Sequence, residues 1–295
     1  MRVLNFGSLN YDHVFHLNHF VKPGETAASD SYAVNFGGKG LNQSIALAKA
    51  GMEVYHAGRV GSDGQPLIDY LNSYEVDTEY LMIDDARATG LAMIQVADGE
   101  NCIVLYGGTN QMIDEKQIDE TLRHFSAGDY LLIQNEISSE KYLIQKAHDA
   151  GMKIAFNAAP MNDDVFQYSL DLIDLFFVNE IEGQMLSGSK SAAYADIIAA
   201  LQTRFPHQQI VMTCGSHGSY WIHGREVLHQ EAIPAVAVDT TAAGDTFTGF
   251  YIAVISKGMP PQQALLVASK ASSIAVSRQG AASSIPTMNE VLQLH

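Results

Sequence analysis

Short apolar runs alternate with longer helical patterns from residue 129 onward. Four strand-like runs lie at 130–133, 153–156, 175–178 and 210–212, and each gap between them is long enough for a crossover helix. Such alternation is typical of βαβ units, in which helices cover both faces of a parallel sheet. No repeat, low-complexity segment or linker divides the chain. The sequence therefore predicts one α/β domain over residues 1–295.

Polar residues follow each of these four runs. They are Gln134, Asn135 and Glu136 after the first, and Asn157, Asn179 with Glu180, and Thr213 after the others. In parallel α/β sheets, ligands bind beyond the carboxyl ends of the strands. A single polar residue there is better explained as a helix cap. Four in succession favour a binding cleft along that edge.

Residues 10–36 and 86–108 do not follow the βαβ rhythm. The second stretch has the pattern of a hairpin, with strands at 91–96 and 102–106 and a turn at 98–101. We expect these two stretches to form a small β layer that acts as a lid over the cleft.

The charge of the chain limits its partners. Asp and Glu number 33 against 17 Lys and Arg, a formal net charge of -16, which argues against nucleic-acid and membrane partners. The two cysteines, Cys102 and Cys214, lie in apolar surroundings and are predicted to be core residues of a reduced, cytoplasmic protein. No apolar run reaches the length of a spanning helix.

A first glycine-rich segment, residues 36–44, precedes a helical pattern. Its glycines allow close approach of the backbone to a ligand, with free N–H groups directed at it. Lys39 adds a cation, and the Asn42 amide offers a donor and an acceptor to a hydroxyl-rich ligand. An ordinary turn before a helix explains this segment as well.

A second glycine-rich segment, residues 239–250, also enters a helix. Ala242, Ala243 and Gly244 have little side-chain bulk, so their amides can hold a phosphate at the positive helix end. Asp245 beside them is placed to accept the proton of an attacking hydroxyl, although a helix cap is the simpler alternative. Residues 183–190 miss the P-loop pattern, because Ser189 separates the second glycine from the lysine.

Taken in order, these segments resemble the ribokinase-like (PfkB) family of carbohydrate kinases over nearly the whole chain. The resemblance is carried by residues 7–12, 23–26, 37–43, 179–182, 213–218, 239–245 and 278–286. It implies a three-layer α/β sandwich with a central, mostly parallel sheet and a small β lid. Leu41 and Ser44 depart from the small alanines usual in the first signature, and Ser269 from the His or Asn often found near the adenine.

The resemblance also implies a role for individual residues. Asp245 would be the catalytic base, and the amides of Ala242, Ala243 and Gly244 the anion hole. The implied sugar contacts are Asn10, Asp12, Gly38, Lys39, Asn42 and Glu136. The nucleotide would be bordered by Asn179, Thr213, Gly215 and Gly218. Glu182 would position Mg²⁺ through water, and a monovalent-cation site for K⁺ would comprise Asp239, the carbonyl of Thr241, Gly280 and Ser284.

We therefore expect an ATP-dependent kinase of a small sugar, with D-ribose phosphorylated at O5 as the leading hypothesis. Mg²⁺ would be required, K⁺ would activate, and a homodimer would form through the lid. Alternative acceptors are fructose, 2-keto-3-deoxygluconate, a nucleoside or a sugar phosphate. A catalytically silent sugar-binding protein is the alternative outside the enzymes.

Overall fold

The structure of the chain is a computed structural model that describes residues 1–294, one residue short of the predicted domain end at His295. Thirteen strands lie in this range: β1 (Arg2–Phe6), β2 (Asn10–His16), β3 (Ser31–Gly37), β4 (Glu53–Gly61), β5 (Leu81–Asp84), β6 (Gly90–Ala97), β7 (Glu100–Tyr106), β8 (Tyr130–Gln134), β9 (Lys153–Asn157), β10 (Leu175–Asn179), β11 (Gln209–Thr213), β12 (Ser219–His223) and β13 (Glu226–Gln230).

Nine α-helices occur in the same range: α1 (Lys39–Lys49), α2 (Gln65–Asn72), α3 (Glu115–Leu122), α4 (Glu140–Asp149), α5 (Glu180–Ser187), α6 (Tyr194–Arg204), α7 (Ala243–Ile255), α8 (Pro261–Val276) and α9 (Met288–Gln293). Short 3-10 helices lie at Gly108–Met112, Asp163–Gln167, Leu170–Leu172, Gly215–His217 and Ala282–Ser284.

The central sheet has nine strands in the order β13-β12-β11-β10-β9-β8-β1-β4-β5. The strands from β11 to β5 are parallel, while β12 and β13 add an antiparallel edge. The four predicted runs are β8 to β11, each ending on the polar residue that follows the apolar stretch. The prediction of a mostly parallel α/β sheet is confirmed.

Two hydrophobic cores lie on opposite faces of this sheet. On one face α1, α7 and α8 pack against residues such as Val3 and Leu132. On the other, α3, α4, α5 and α6 pack against residues such as Leu4 and Ile133. Adjacent residues of one strand enter different cores because side chains alternate across a sheet. The result is the three-layer sandwich, and its helices α1 and α7 lie side by side on one face.

A second sheet of four strands has the order β3-β2-β6-β7. Strand β2 pairs with β3 antiparallel and with β6 parallel, and β6 joins β7 in a hairpin. The hairpin turn is tighter than expected, since Ala97 pairs with Glu100 and only Asp98 and Gly99 lie between them. Both turn residues have positive φ, 52° and 79°, as a two-residue hairpin of type I′ requires.

One expected core residue is not in the core. Cys214 is buried, as predicted, but Cys102 is exposed. It lies on β7, an edge strand of the second sheet whose seven residues are all exposed. The apolar neighbours of Cys102 belong to a strand on which no other element of the described chain packs. The prediction that Cys102 is a core residue is wrong. Among residues 1–294, no helix combines the length and apolar character needed to cross a membrane.

Candidate active site

The second glycine-rich segment forms a turn that starts α7. Ala242 precedes the helix with φ of 59°, and the amide of Ala243 donates to the carbonyl of Thr240 at 3.2 Å. Within the described chain, the amides of Ala242, Gly244 and Asp245 have no acceptor. At the positive end of a 13-residue helix, such amides are suited to an anionic ligand.

Asp245 lies in the first turn of α7 and is 7% exposed. Each of its carboxylate oxygens accepts a hydrogen bond from α1: Oδ2 from Nδ2 of Asn42 at 3.0 Å, and Oδ1 from Nε2 of Gln43 at 2.8 Å. Two fixed donors hold the carboxylate plane in one orientation. Oδ1 of Asn42 is buried and has no partner in the described residues, so it remains available to a donor such as a substrate hydroxyl.

The start of α1 differs from the expectation of free amides. The amide of Lys39 donates to Oε2 of Glu136 at 3.1 Å, that of Gly40 to the Ser8 hydroxyl at 3.3 Å, and that of Leu41 to the Ser8 carbonyl at 3.1 Å. The first glycine-rich segment therefore anchors a carboxylate of the protein at its positive helix end. The amides of residues 39–41 are thus engaged within the protein, and the side chains of Lys39 and Asn42 are left for a ligand.

Lys39 is the first residue of α1, after the cap Gly38. Burial alone would lower the pKa of Lys39, but the carboxylates of Asp245, Glu136 and Glu182 outweigh it and raise the pKa. The ammonium is therefore charged and lies in the field of three acids that come from three different elements. Such a cation is placed to bind phosphate oxygens between them.

A cavity of about 210 Å³ opens at the carboxyl ends of the central strands. It is bounded by the ends of β9, β10 and β11 and by the turn before α7. Eight predicted site residues line it, namely Lys39, Asn179, Glu182, Thr213, Ala242, Ala243, Gly244 and Asp245. The structure thus brings the predicted base, its neighbouring amides and the Asn179–Glu182 element to one space.

The predicted sugar carboxylates lie near each other. Glu136 accepts hydrogen bonds from the Ser8 hydroxyl and the Lys39 amide, while burial raises its pKa. Burial and the charge of Glu136 raise the pKa of Asp12 to about 7. A Cβ at Gly37 would lie 2.0 Å from Oδ2 of Asp12, so the glycine leaves the room that this carboxylate occupies.

Asn10, the remaining predicted sugar contact, is the buried first residue of β2. Its Oδ1 accepts a hydrogen bond from Nδ2 of Asn110 at 2.8 Å. Accepting this bond fixes which way the Asn10 amide faces, and it leaves the Nδ2 of Asn10 for a ligand.

Asn179 and Glu182 form a capping box at the start of α5. Oδ1 of Asn179 accepts from the amide of Glu182 at 2.8 Å, and Oε2 of Glu182 accepts from the amide of Asn179 at 2.9 Å. Burial raises the pKa of Glu182, against the influence of its capping bond and Lys39. The pair therefore has a structural role, and it also directs a carboxylate into the cavity.

The three predicted nucleotide contacts after β11 are not all in the cavity. Thr213 lines it, whereas Gly215 and Gly218 lie in the following loop, outside the lining residues. The carbonyl of Gly218 accepts from the amide of Cys214 at 2.8 Å, and its amide donates to the carbonyl of Gly215 at 3.1 Å. These bonds close the loop on itself beside the cavity.

The predicted monovalent-cation residues are largely collected in one place. Asp239 accepts from the amides of Thr241 at 2.9 Å and Gly280 at 3.0 Å. Although burial opposes it, these bonds lower the pKa of Asp239. Ser284 donates to the carbonyl of Ala281 at 2.7 Å and has no bond to Asp239. Carboxylate and carbonyl oxygens are the donors that a hard cation such as K⁺ accepts.

Several residues of the site were not predicted. Gln43 contacts Asp245 directly, and Phe177, Thr240 and Thr248 line the cavity. Asn157, one of the four strand-end positions from which the cleft was predicted, also lines it, although it had been assigned no role of its own. Gln43 has no comparable signal, because only the packing of α1 on α7 brings its amide to Asp245.

Comparisons with known proteins bear on the family and the fold of the chain. Residues 2–288 match the pfkB family carbohydrate kinases. A ribokinase from Haemophilus influenzae is 32% identical over 297 residues, which cover 97% of this chain and 96% of that protein. The crystal structure of a ribokinase from Cryptococcus neoformans var. grubii serotype A with ADP superposes with a TM-score of 0.87, at 33% identity and 99% coverage of each chain.

The Arabidopsis thaliana ribokinase, solved with ribose and ATP, gives a TM-score of 0.88 at 29% identity, with 99% of this chain and 98% of that one covered. Family match, identity and fold agree over the same residues, and the predicted family is confirmed. The chain belongs to the pfkB family of carbohydrate kinases and is an ATP-dependent sugar kinase.

Proposed function

We propose that this chain transfers the γ-phosphate of ATP to O5 of D-ribose, forming ribose 5-phosphate and ADP. The observation that carries the proposal is the Asp245 carboxylate, buried and held by two amide donors beside unpartnered amides at the start of α7. The relatives described above are ribokinases, and one was solved with ribose and ATP. This supports ribose as the acceptor among sugars of similar size.

In the proposed reaction, Asp245 accepts the proton of the acceptor hydroxyl as its oxygen attacks the γ-phosphorus. The new O–P bond forms while the bond to the β-phosphate oxygen breaks, and that oxygen leaves with the electron pair on ADP. The amides of Gly244 and Asp245 stabilise negative charge on the transferring group, together with the ammonium of Lys39. A positioned general base typically contributes about 10²–10⁴-fold in rate.

The acceptor end is assigned to the predicted sugar residues. Asp12 and Glu136 accept hydrogen bonds from sugar hydroxyls, and Asn10 and Asn42 add amide groups. Lys39 is the only basic residue among the described residues that line the cavity. A phosphorylated acceptor needs more positive charge than one lysine shared with ATP, so a neutral sugar is favoured.

The proposed Mg²⁺ and K⁺ sites are assigned to residues that offer oxygen ligands. No group of three or more His, Cys, Asp or Glu residues that could hold a metal occurs in the described chain. Glu182 nevertheless faces the cavity, and it is assigned to Mg²⁺ through water, since Mg²⁺ usually keeps several waters and binds few carboxylates together with nucleotide phosphates. Mg²⁺ held there with ATP would neutralise charge on the phosphate oxygens. Asp239, Thr241, Gly280 and Ser284 are assigned to the activating K⁺.

We also propose a homodimer through the second sheet, because several of its apolar side chains are exposed. They are Val34, Met93, Ile103, Val104 and Leu105. The proposed place of the reaction is the cytoplasm, where ATP is supplied and free cysteines such as Cys214 stay reduced.

Replacement of the base tests the mechanism. Asp245→Asn keeps the size of the side chain but cannot accept the proton, so kcat should fall by about 10²–10⁴-fold while D-ribose still binds in calorimetry. Asp114→Asn is the matched control, since Asp114 caps α3 and pairs with Arg59 but does not line the cavity. Near-normal kcat in Asp245→Asn would contradict the assignment of the base.

A coupled assay of ADP release tests the acceptor. Candidate acceptors are D-ribose, 2-deoxyribose, fructose, 2-keto-3-deoxygluconate, a sugar phosphate and common nucleosides, each with K⁺ and without it. We expect the highest kcat/KM for D-ribose and a higher rate with K⁺. A better acceptor elsewhere in the set would replace ribose, and no sugar-stimulated turnover would support a silent binding protein.

A further inference from the structure

A continuous row of buried polar side chains lies behind Asp245, away from the cavity. It runs from Gln43 through Gln134, Asn5 and Ser44 to His56, and these side chains are at most 1% exposed. They come from α1, β8, β1, α1 again and β4. None of them lines the cavity, and their burial keeps them out of contact with solvent.

The direction of each hydrogen bond in the row can be assigned from its far end. Burial lowers the pKa of His56 to about 4, so its ring is neutral and has one N–H. Nε2 lies 3.3 Å from the carbonyl of Gly7, which can only accept, and therefore Nε2 is the donor. Nδ1 must then accept from the hydroxyl of Ser44 at 2.7 Å.

The remaining bonds follow in the same sense. The Ser44 hydroxyl, having donated its proton, accepts from Nδ2 of Asn5 at 2.8 Å. Oδ1 of Asn5 accepts from Nε2 of Gln134 at 2.9 Å. The same Nε2 donates to Oε1 of Gln43 at 2.7 Å. Because Oε1 of Gln43 is engaged in this way, its Nε2 is the atom that faces Oδ1 of Asp245.

We propose that Gln134 and Gln43 are positioning residues for phosphoryl transfer, which keep an N–H donor, and not a carbonyl oxygen, directed at Oδ1 of Asp245. The proposal rests on the proposed role of Asp245 as the base. A glutamine amide has two orientations of nearly equal shape, and only one of them supports a carboxylate. Gln134 removes the wrong orientation of Gln43 by occupying its carbonyl.

A purely structural network is expected to satisfy all its members, and this one does not. Oε1 of Gln134 is buried without a partner in the described residues. A buried unsatisfied acceptor is unfavourable, so the site keeps both N–H groups of Gln134 engaged while its oxygen goes without a donor. Gly7 belongs to the same arrangement, because a Cβ there would lie 2.5 Å from Oε1 of Gln134.

The first test is Gln134→Leu, which removes the donor to Gln43 without touching Asp245. With D-ribose and ATP, we expect kcat at pH 7 to fall by about tenfold and both KM values to stay within about twofold. Loss of the donor to Gln43 lets the Gln43 amide turn its oxygen toward Asp245, so the defect should appear in kcat and not in KM. Lys39 and Glu136, the charged groups facing Asp245, are unchanged in this variant.

Gln117→Leu is the matched control. Gln117 is an equally buried glutamine on α3, whose amide bonds the Gly58 carbonyl at 2.6 Å and accepts from Arg59 at 3.1 Å. It should lose thermal stability but keep the wild-type kcat and KM values. If Gln134→Leu behaves like this control, the proposal is overturned.

Gln43→Glu is the second variant and decides the question where Gln134→Leu does not fold. It preserves size but places an acceptor oxygen opposite Asp245, so we expect a larger fall in kcat with D-ribose binding retained. Wild-type kcat in folded Gln43→Glu would overturn the proposal. Normal turnover of Asp245→Asn would instead overturn the proposed base, so the two failures can be distinguished.

Discussion

Asp12 combines a predicted sugar contact with an unfavourable environment for a carboxylate. Burial and the nearby Glu136 raise its pKa from 3.8 to about 7. A carboxyl whose pKa is raised in the folded state stabilises that state fully below pH 3.8, and the contribution is lost as the pH rises through 7. The charged form of Asp12 therefore lowers the free energy of unfolding at the pH at which, in the proposed function, that charge binds the sugar.

Asp12→Asn should accordingly be more stable and less active. We expect its Tm to exceed that of the wild type by about 2–4 °C at pH 8, as about 1 kcal/mol gives in a chain of this class, with a smaller difference at pH 5. KM for ribose should rise by about tenfold, because a carboxylate acceptor becomes an amide. Calorimetric melting at both pH values checks this, with the exposed Asp30→Asn as control. An equal Tm difference at pH 5 and 8 would contradict it.

The sequence located single residues where chemistry and position coincide. Asp245 was predicted because a carboxylate next to small residues at a helix start has a recognisable pattern, and the structure places it in the cavity. Gln134 stood at a predicted strand end, yet its bond to Gln43 joins residues 91 positions apart. Such a contact depends on how two elements pack, which no local pattern records.

Helices α1 and α7 must lie close together for Asn42 and Gln43 to reach Asp245. Gly249 of α7 permits this, since a Cβ there would lie 2.5 Å from Cβ of Ala46 and 2.9 Å from the backbone of α1. The backbone of α1 cannot yield as a flexible side chain can, so any side chain at 249 separates the helices. Helix spacing thus sets the geometry of the base.

Gly249→Ala should therefore reduce both stability and activity. Overpacking costs about 1–3 kcal/mol, only partly offset by about 1 kcal/mol of helix propensity. We expect kcat to fall by about tenfold or more as the two hydrogen bonds to Asp245 lengthen. Gly183→Ala in α5 is the control, since its nearest contact is the flexible Met212 at 3.1 Å. Urea unfolding and kcat are measured for both variants. Equal losses of stability and of kcat in Gly249→Ala and Gly183→Ala would contradict the argument.

Secondary-structure elements were predicted best where a segment is buried on both faces, because its sequence pattern then fits only one kind of element. The predicted starts of β8, β9 and β10 agree with the structure, because strands buried on both faces are continuous apolar runs with polar ends. The pairing of β12 and β13 as an antiparallel edge was not predicted, and Cys102 was misplaced. Edge strands contain the same apolar residues, but no other element packs over them. Their sequence does not show whether another element packs there.

The charge of the whole molecule, -16, does not prevent phosphate binding. In the proposed function the anionic groups of ATP meet helix amides and Lys39 at one end of the sheet, so the electrostatic field that matters is local. Three acidic residues around Lys39 raise its pKa and keep it charged. Part of the acidic excess of the chain thus maintains the positive charge in the cavity. Also at the scale of the whole molecule, the second sheet leaves apolar side chains exposed.

The face of the second sheet that includes Asp12 is the more aliphatic one. Val14, Ile94 and Ile103 are aligned across β2, β6 and β7, and Leu105 lies beside them on the same face. Val104 points to the opposite face, because neighbouring residues in a strand alternate. Ile103 and Leu105 are exposed and Val14 and Ile94 half-buried, and a second copy of the sheet offers the same aliphatic row for association.

Leu105→Asp should then dissociate the proposed dimer, since each interface would bury two new charges. Val104→Asp adds the same charge one residue away on the opposite face and should leave the dimer intact. Sedimentation velocity across a range of protein concentrations measures both. We expect a monomer only for Leu105→Asp, with KM for ribose raised because the sheet that holds Asp12 loses its support. If Val104→Asp dissociates the dimer instead, the opposite face is the interface, and a monomeric wild type would end the proposal.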